Sequence, residues 1–368
     1  LQVLQALYMI KYIDEYRDKN LVLKIADEIK RISTRPLRFM EVCGGHTMAI
    51  QKFGIPSLLP DTIQLLSGPG CPVCVTDRRF IDTAIAFARL DDVIITTYGD
   101  LIRVPGSSSS LDAERGKGHD IKIVYCILDA LEIAKENPDK KVIFLGIGFE
   151  TTTPSSAAGM VNAINMGLEN FYLHSSHKVM PPAMTALIDE GVKIDGYIAP
   201  GHVSTITGTS IYNDIPSKYN LGCVISGFEP VDLMQAILML TKQKESNKAK
   251  VEIQYKRAVK EEGNIKAQKL VGEVFETNDD WWRGLGVLKD SGLKLREAFG
   301  HMDAEKAIPV EVEKTREDTG CICGEILKGL KSPADCKLFG KACTPNDPVG
   351  ACMVSNEGAC HAWLRYRG

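Results

Sequence analysis

The sequence predicts an α/β protein: two small parallel-sheet α/β domains around a cleft, plus a cysteine-rich C-terminal domain. Three observations lead there. From residue 36 to about 242, short β-rich runs alternate with helical patterns, and such alternation implies βαβ units with parallel strands. Nearly every β-rich run ends in a loop rich in Gly, Ser, Thr or Pro. Six of the eleven cysteines fall within residues 321–368.

The strands are expected in this order. Leu37–Val42 leads into CGGHT, and Ile63–Leu66 into SGPGCPVC. Val93–Thr96 leads into TYGD and then RVPGSSSS. Val142–Leu145 leads into GIGFETTTP, Phe171–Leu173 into HSSHKVMPP, Tyr197–Ala199 into PGHVSTITG, and Cys223–Ser226 into GFEP. GFET and GFEP look like one loop used twice. A break is expected at Asn137-Pro138-Asp139, where a helix should end just before a strand. The expected division is an N-terminal helical segment over 1–34, a first α/β domain over 35–137, a second over 138–245, and a helical or irregular domain over 246–368. A charge-rich helical pattern spans about 230 to 263, with KQKESNKAK as a solvated stretch. The last 48 residues are poor in aliphatics. They cannot bury enough apolar surface to fold alone, so a metal is expected to organise them.

Composition narrows the function. The 368 residues carry a net charge of −3 and 44% hydrophobic content. No basic tract points to nucleic acid, and no run of 18 apolar residues points to a membrane span. LQVLQALYMIKYIDEYRDKN lacks the features of a signal peptide and reads as an amphipathic helix, so a cytoplasmic location is expected. The chain opens on Leu1 rather than Met, so a few residues are expected ahead of it. A cysteine cluster in such a chain points to metal or redox chemistry rather than to a disulfide framework. GxGxxG and GxxxxGK[ST] are both absent, so nucleotide binding is not supported.

The unusual loops all follow strands, where open α/β sheets bind ligands. In the tail, Cys321, Cys323, Cys336, Cys343, Cys352 and Cys360 lack the paired CxxC spacing of a zinc site. Irregular spacing suits an iron–sulfur cluster held by four thiolates from separate loops, with two thiols left over. A zinc knot or loose thiols are the alternatives. Cys71 and Cys74 form a CxxC at a strand-to-helix turn, where a helix N-terminus is expected to lower a thiol pKa and permit dithiol–disulfide cycling. A packed or half-zinc pair is the alternative. Cys43, beside Gly44 and Gly45, is a soft thiolate on a loop that lets a ligand approach closely. His46 is a candidate ligand or proton carrier, and Thr47 fits an N-cap for the following helix. On the bland reading, Cys43 is a buried small hydrophobe and His46 a loop hydrogen-bonder. Gly148, Glu150, Thr151 and Thr152 form a loop suited either to binding an anion or to capping a helix with Pro154 at its first position. Glu150 is also a candidate for pairing a cation or for proton transfer. Asp100, Arg103, His174, His177 and His202 sit on the same expected face, each more readily explained by structure. Cys126 and Cys223 read as core thiols.

CGGHT at Cys43, GPGCPVC at Gly68, GFETTTP at Gly148 and the cysteine-rich tail together resemble the HypD family, which matures [NiFe] hydrogenases. The resemblance covers nearly the whole chain. The family's tail pattern has 14, 6 and 16 residues between successive cluster ligands, and Cys321, Cys336, Cys343 and Cys360 reproduce those gaps. The resemblance implies a [4Fe-4S] cluster on these four, with Cys323 and Cys352 left as a possible disulfide. It implies iron held by Cys43 together with a HypC-type chaperone, cyanide delivered by a HypE-type donor, and two cyanides and one carbon monoxide on the iron. The finished unit would pass to a hydrogenase large subunit. Cys71 and Cys74 would be the thiol pair beside the iron, and the cluster the electron supply. That describes an assembly scaffold with redox activity rather than a conventional turnover enzyme. An iron–sulfur-dependent thiol-disulfide oxidoreductase and a zinc-stapled binding module are the rival classes.

Overall fold

The computed structural model describes residues 10–316 and 320–367. Residues 1–9 of the expected N-terminal helix lie outside the described residues. The helix Lys19–Ile32 follows, capped by Asp18, whose carboxylate accepts the N–H groups of Asn20 and Leu21. It buries Val22, Ile25, Ala26 and Ile29 in a cluster shared with Ile198, Val224 and the helix Pro230–Glu245.

Among the described residues the strands are β1 (Leu37–Glu41), β2 (Ile63–Ser67), β3 (Val93–Thr97), β4 (Ile121–Ile123), β5 (Lys141–Gly148) and β6 (Phe171–Lys178). Then come β7 (Gly196–Pro200), β8 (Gly222–Ser226), β9 (Val251–Ile253), β10 (Phe275–Trp282) and β11 (Gly286–Leu295). All seven expected strands form. β4, β9, β10 and β11 were not expected.

The strands make two sheets, ordered β2-β1-β7-β8-β9 and β10-β11-β6-β5-β3-β4. The first is wholly parallel. The second is mixed, because the β10–β11 hairpin is antiparallel and joins β6 antiparallel. Two parallel sheets were expected, and this hairpin is the correction. It also corrects the helical or irregular character expected of 246–308. Asn278, Asp279 and Asp280 hid β10, since such residues are depleted in strands. The strand tolerates them with a bulge between Asn278 and Asp280.

The sheets do not divide at Asn137-Pro138-Asp139. A helix, Ile127–Glu136, does end there, but β1 and β2 pair with β7 to β9, while β3 and β4 pair with β5 and β6. The chain leaves the first sheet after β2 and returns to it at β7. Parallel neighbours need long crossovers, so local rhythm cannot tell which sheet a strand joins. The charge-rich stretch after residue 230 is likewise shorter than expected: its helix ends at Glu245, and β9 follows.

The carboxyl ends of both sheets meet the tail. One apolar cluster contains Val42, Cys71 and Cys74 from the first sheet's loops, Phe149 from the second's, and Cys323, Cys343, Cys352 and Cys360 from the tail. The tail has short helices at Cys323–Leu327 and Ala359–Arg367. Among the described residues, no helix is long and apolar enough to cross a membrane.

Candidate functional site

Cys43 leaves the end of β1 in an extended conformation and is itself the N-cap of the helix Gly44–Lys52. Thr47 is therefore not the cap. The helix starts earlier than expected, and Thr47 lies inside it, donating its hydroxyl to Glu41 Oε1 at 2.5 Å. Glu41 Oε2 accepts the Cys43 N–H at 3.0 Å. Burial pushes the Glu41 carboxyl up to about 8. The Gly-Pro-Gly loop closes on Cys43 from the other side: the Gly44 N–H donates to Gly70 O at 2.9 Å. A Cβ on Gly70 would lie 2.0 Å from the Cys43 nitrogen, so only glycine fits there.

The Cys43 side chain is 1% exposed. Burial, and then the nearby Glu357 carboxylate, push its thiol well up. Its Sγ lies 3.8 Å from His202 Nδ1. Phe228 of the GFEP loop packs on both His46 and His202, at 4.8 and 5.2 Å between ring centres. His46 Nε2 faces two carbonyls, Ser226 O at 3.2 Å and Gly227 O at 3.0 Å. Burial, helped by His202, lowers its pKa to about 4. A neutral ring between two acceptors carries its proton on Nε2, so Nδ1 keeps a lone pair. That Nδ1 is buried without a hydrogen-bond partner. Burial likewise lowers His202 to about 4.

The Cys71–Cys74 motif forms a single helical turn, Pro72–Val75, capped by Cys71, whose Sγ accepts the Cys74 N–H at 3.4 Å. Cys74 does not have the expected lowered pKa. Burial pushes its thiol well up, because one turn carries little dipole and desolvation dominates. In the GFETTTP loop, Gly148 has φ +147, and a Cβ there would lie 2.5 Å from Thr152 Cβ. The helix Thr153–Asn165 follows, one residue earlier than expected, and Thr152 caps it without a side-chain hydrogen bond. Glu150 Oε1 accepts the Met180 N–H at 2.9 Å. Glu150 Oε2 and Thr151 Oγ1 are buried without partners, and burial raises Glu150 to about 7.

The other loop residues divide. His174 stacks on Phe80 at 4.1 Å and meets Phe80 O and Glu305. His177 sits between Ser156 and Ser175 at 2.9 and 3.0 Å, and burial lowers it to about 3. Both are tied into the second sheet. Arg103 donates to Pro345 O and Val354 O, fastening the tail. Asp100 acts on Glu357, whose carboxyl is raised first by burial and then by that charge. Cys223 is fully buried as expected. Cys126 is half-buried at the N-cap of Ile127–Glu136, not in the core, because its helix starts at the sheet edge.

Every cysteine is a free thiol in this structure. The six tail cysteines line one pocket with Ile326, Leu338, Phe339, Gly350 and Met353. A Cβ on Gly350 would lie 2.6 Å from Cys321 Sγ, and Cys343 Sγ accepts the Val349 N–H at 3.3 Å. Neighbouring thiols lead outward from that pocket: Cys321 and Cys323 flank Gly350, and Cys323, Cys352, Cys74 and Cys71 share one apolar cluster.

Comparison with known proteins decides the family. Residues 19–367 match HypD, described as the hydrogenase formation hypA family. The chain belongs to the HypD family of hydrogenase maturation factors. It is 46% identical over 369 residues to the hydrogenase maturation factor HypD of Azotobacter vinelandii, covering 97% of each chain. It is 43% identical over 367 residues to that of Escherichia coli K12, covering 97% of this chain and 98% of the relative. A putative hydrogenase expression/formation protein of Methanocaldococcus jannaschii is 46% identical over 352 residues, covering 95% and 98%.

In this HypD-family chain the tail suits an iron–sulfur cluster by its donor chemistry: clustered thiols in an otherwise apolar pocket with a glycine wall. Among the described residues, no three His, Cys, Asp or Glu side chains already stand together at metal-binding geometry. Sequence reasoning passed over Glu41, Phe228 and Glu357. Glu41 had one usable signal, a carboxylate ending a strand just before CGGHT. The others owe their places to tertiary packing alone.

Proposed function

We propose that this protein is the scaffold, shared with a HypC-type chaperone, on which an Fe(CN)2CO unit is built for a [NiFe] hydrogenase. Cys43 holds the iron being assembled, a HypE-type donor delivers cyanide, and the finished unit passes to the hydrogenase large subunit. Cys321, Cys336, Cys343 and Cys360 are the ligands of a [4Fe-4S] cluster. When bound, that cluster supplies one-electron transfer at the end of the thiol line.

The observation that carries this reading is the run of neighbouring cysteines Cys321, Cys323, Cys352, Cys74 and Cys71. It leads from the tail pocket to the loop whose Gly70 packs against Cys43. Cys352 neighbours one thiol of each pair. Exchange through a Cys74–Cys352 mixed disulfide opens Cys71–Cys74 as it closes Cys323–Cys352. One disulfide is lost and one gained, and the two thiol protons change owners, so electrons and atoms balance.

At the other end, Cys43 is a buried thiol that gives up its proton when it ligates metal. His202 Nδ1 faces that thiol at 3.8 Å, and burial keeps its ring neutral. His46 Nδ1, Glu150 Oε2 and Thr151 Oγ1 are buried polar atoms without partners. Such orphans mark unmet bonding capacity, here on the two loops assigned to the cargo. Phe228 covers the niche and keeps water from the thiolate.

The test is anaerobic iron, zinc and acid-labile sulfide analysis, with visible and EPR spectra. Iron and sulfide in the whole protein, lost in Cys336→Ala, are the expected result. A colourless zinc protein without sulfide would overturn the reading in favour of a zinc-stapled module. A disulfide reductase would share the thiol line but would not need Cys43.

A further inference from the structure

The β10–β11 turn borders both the Cys71–Cys74 motif and the Cys321–Cys323 segment. Arg283, at that turn, is 5% exposed although it carries a full charge. Its backbone N–H donates to Val75 O at 2.9 Å. Its Nε and Nη2 donate to Thr76 O at 3.3 and 3.1 Å. Val75 and Thr76 end the turn that carries Cys74. The next residue, Gly284, has φ +83, and a Cβ there would lie 2.4 Å from Gly324 Cα. Gly324 directly follows Cys323. One side of the Arg283 turn thus holds the Cys71–Cys74 motif and the other the Cys321–Cys323 segment.

A buried guanidinium is costly unless its charge is used or paired. The Thr76 carbonyl satisfies two of its N–H groups, but a carbonyl is not a counter-charge. Asp77 lies within its field, half exposed at a helix cap. Lys178 and Asp280 are close by but neutralise each other at 2.5 Å. The buried Arg283 charge sits beside the segment that carries Cys321 and Cys323, because the adjoining Gly284 packs on Gly324.

We infer that Arg283 is a positioning residue for the redox chemistry, its buried charge favouring negative charge at the tail cysteines and so setting how readily the centre there is reduced. The inference rests on the proposed [4Fe-4S] reading. Each one-electron reduction adds one negative charge to such a cluster. A nearby cation in a poorly solvated pocket stabilises that charge, and local charge is one of the protein's levers on cluster potential. The same side chain braces the end of the Cys74 turn, and the next residue, Gly284, packs on Gly324 beside Cys323.

The experiment compares the whole protein with Arg283→Gln and Arg283→Lys, all reconstituted anaerobically to equal iron and sulfide. The ratio of reduced to oxidised cluster is read by EPR at one fixed solution potential set with dithionite and mediators. Arg283→Gln should lower that ratio about fivefold or more, while Arg283→Lys stays within about twofold of wild type. An unchanged ratio in Arg283→Gln at full sulfide overturns the inference. If Arg283→Gln cannot hold the cluster, Arg283→Lys decides alone. It keeps the charge but not the fork on Thr76 O, so a wild-type ratio supports the electrostatic role and a lowered one overturns it. Wild-type protein that takes up no sulfide would sink the cluster reading itself, a separate and distinguishable failure.

Discussion

Cys352 and Cys74 are neighbours in one buried apolar cluster, although 277 residues separate them in the sequence (352 − 74 − 1). Cys352 also neighbours Cys323, so it joins the tail pair to the CPVC pair. Cys352→Ser should leave cluster iron and sulfide intact but stop electrons from reaching Cys71–Cys74. The check is mass-spectrometric thiol labelling after diamide oxidation and dithionite reduction. Cys71 and Cys74 should become labelled in wild type and stay blocked in the variant. Equal labelling in both would remove Cys352 from the path.

The four proposed ligands predict a sharp split among the tail cysteines. Cys336→Ala and Cys360→Ala should lose colour and labile sulfide and loosen the tail, since metal binding there is also folding energy. Cys323→Ala should keep both. Sulfide assay and limited proteolysis read the two effects, and full sulfide in Cys336→Ala would refute the ligand set.

Cys43→Ala should keep the fold and the cluster, because the thiol's side-chain contact, to His202, is long at 3.8 Å. It should abolish the infrared bands of iron-bound cyanide and carbon monoxide in the complex with the HypC-type chaperone. Persisting bands would move the iron elsewhere.

Much of this was legible along the chain, and the losses have physical causes. The seven strands ending in unusual loops were visible because β-branched runs and Gly-rich turns are local signals. Sheet membership was not, because β1 pairs with β7, and four strands of the other sheet lie between them in the sequence. The β10–β11 hairpin hid behind Asn278, Asp279 and Asp280, and Arg283 was lost with it. Thr47 was misplaced because the chain turns from β1 into a helix at Cys43 itself, leaving no room for a separate cap. The tail cysteines announced themselves by composition. That Cys352 faces Cys74, or that His202 faces Cys43, follows only from how the two sheets bring their loops together.

Glu150 gives a pH prediction. Burial raises its carboxyl to about 7 in the folded protein, against about 4.3 in the unfolded chain. The unfolded state therefore releases the proton first as pH rises. The stability from the neutral form is fully present below the unfolded value and is lost as pH rises through about 7. Glu150→Gln stays neutral throughout. Its melting temperature should match wild type near pH 4 and exceed it near pH 8, provided the cluster content is equal. Parallel melting curves across that window, followed by circular dichroism, would place Glu150 in water rather than in the core.

Gly70 is where the two thiol loops are locked together. A Cβ there would lie 2.0 Å from the Cys43 nitrogen and 2.2 Å from the Val42 carbonyl carbon, and these are backbone atoms that cannot swing aside. Gly70→Ala must push the CGGHT and GPGCPVC loops apart, breaking the 2.9 Å bond from Gly44 N–H to Gly70 O. Overpacking of this kind costs roughly 1–3 kcal/mol, and more where backbone must move. The cluster pocket lies beyond Cys352 and should keep its sulfide. Cys43, now 1% exposed, should be alkylated by iodoacetamide at least about tenfold faster, while the core thiol Cys223 stays protected. Gly68→Ala should do less harm at Cys43, because a Cβ there meets Glu41 O at 2.7 Å and the flexible Met40 side chain instead. Equal alkylation of Cys43 in Gly70→Ala and wild type would show that the two loops do not depend on each other's position.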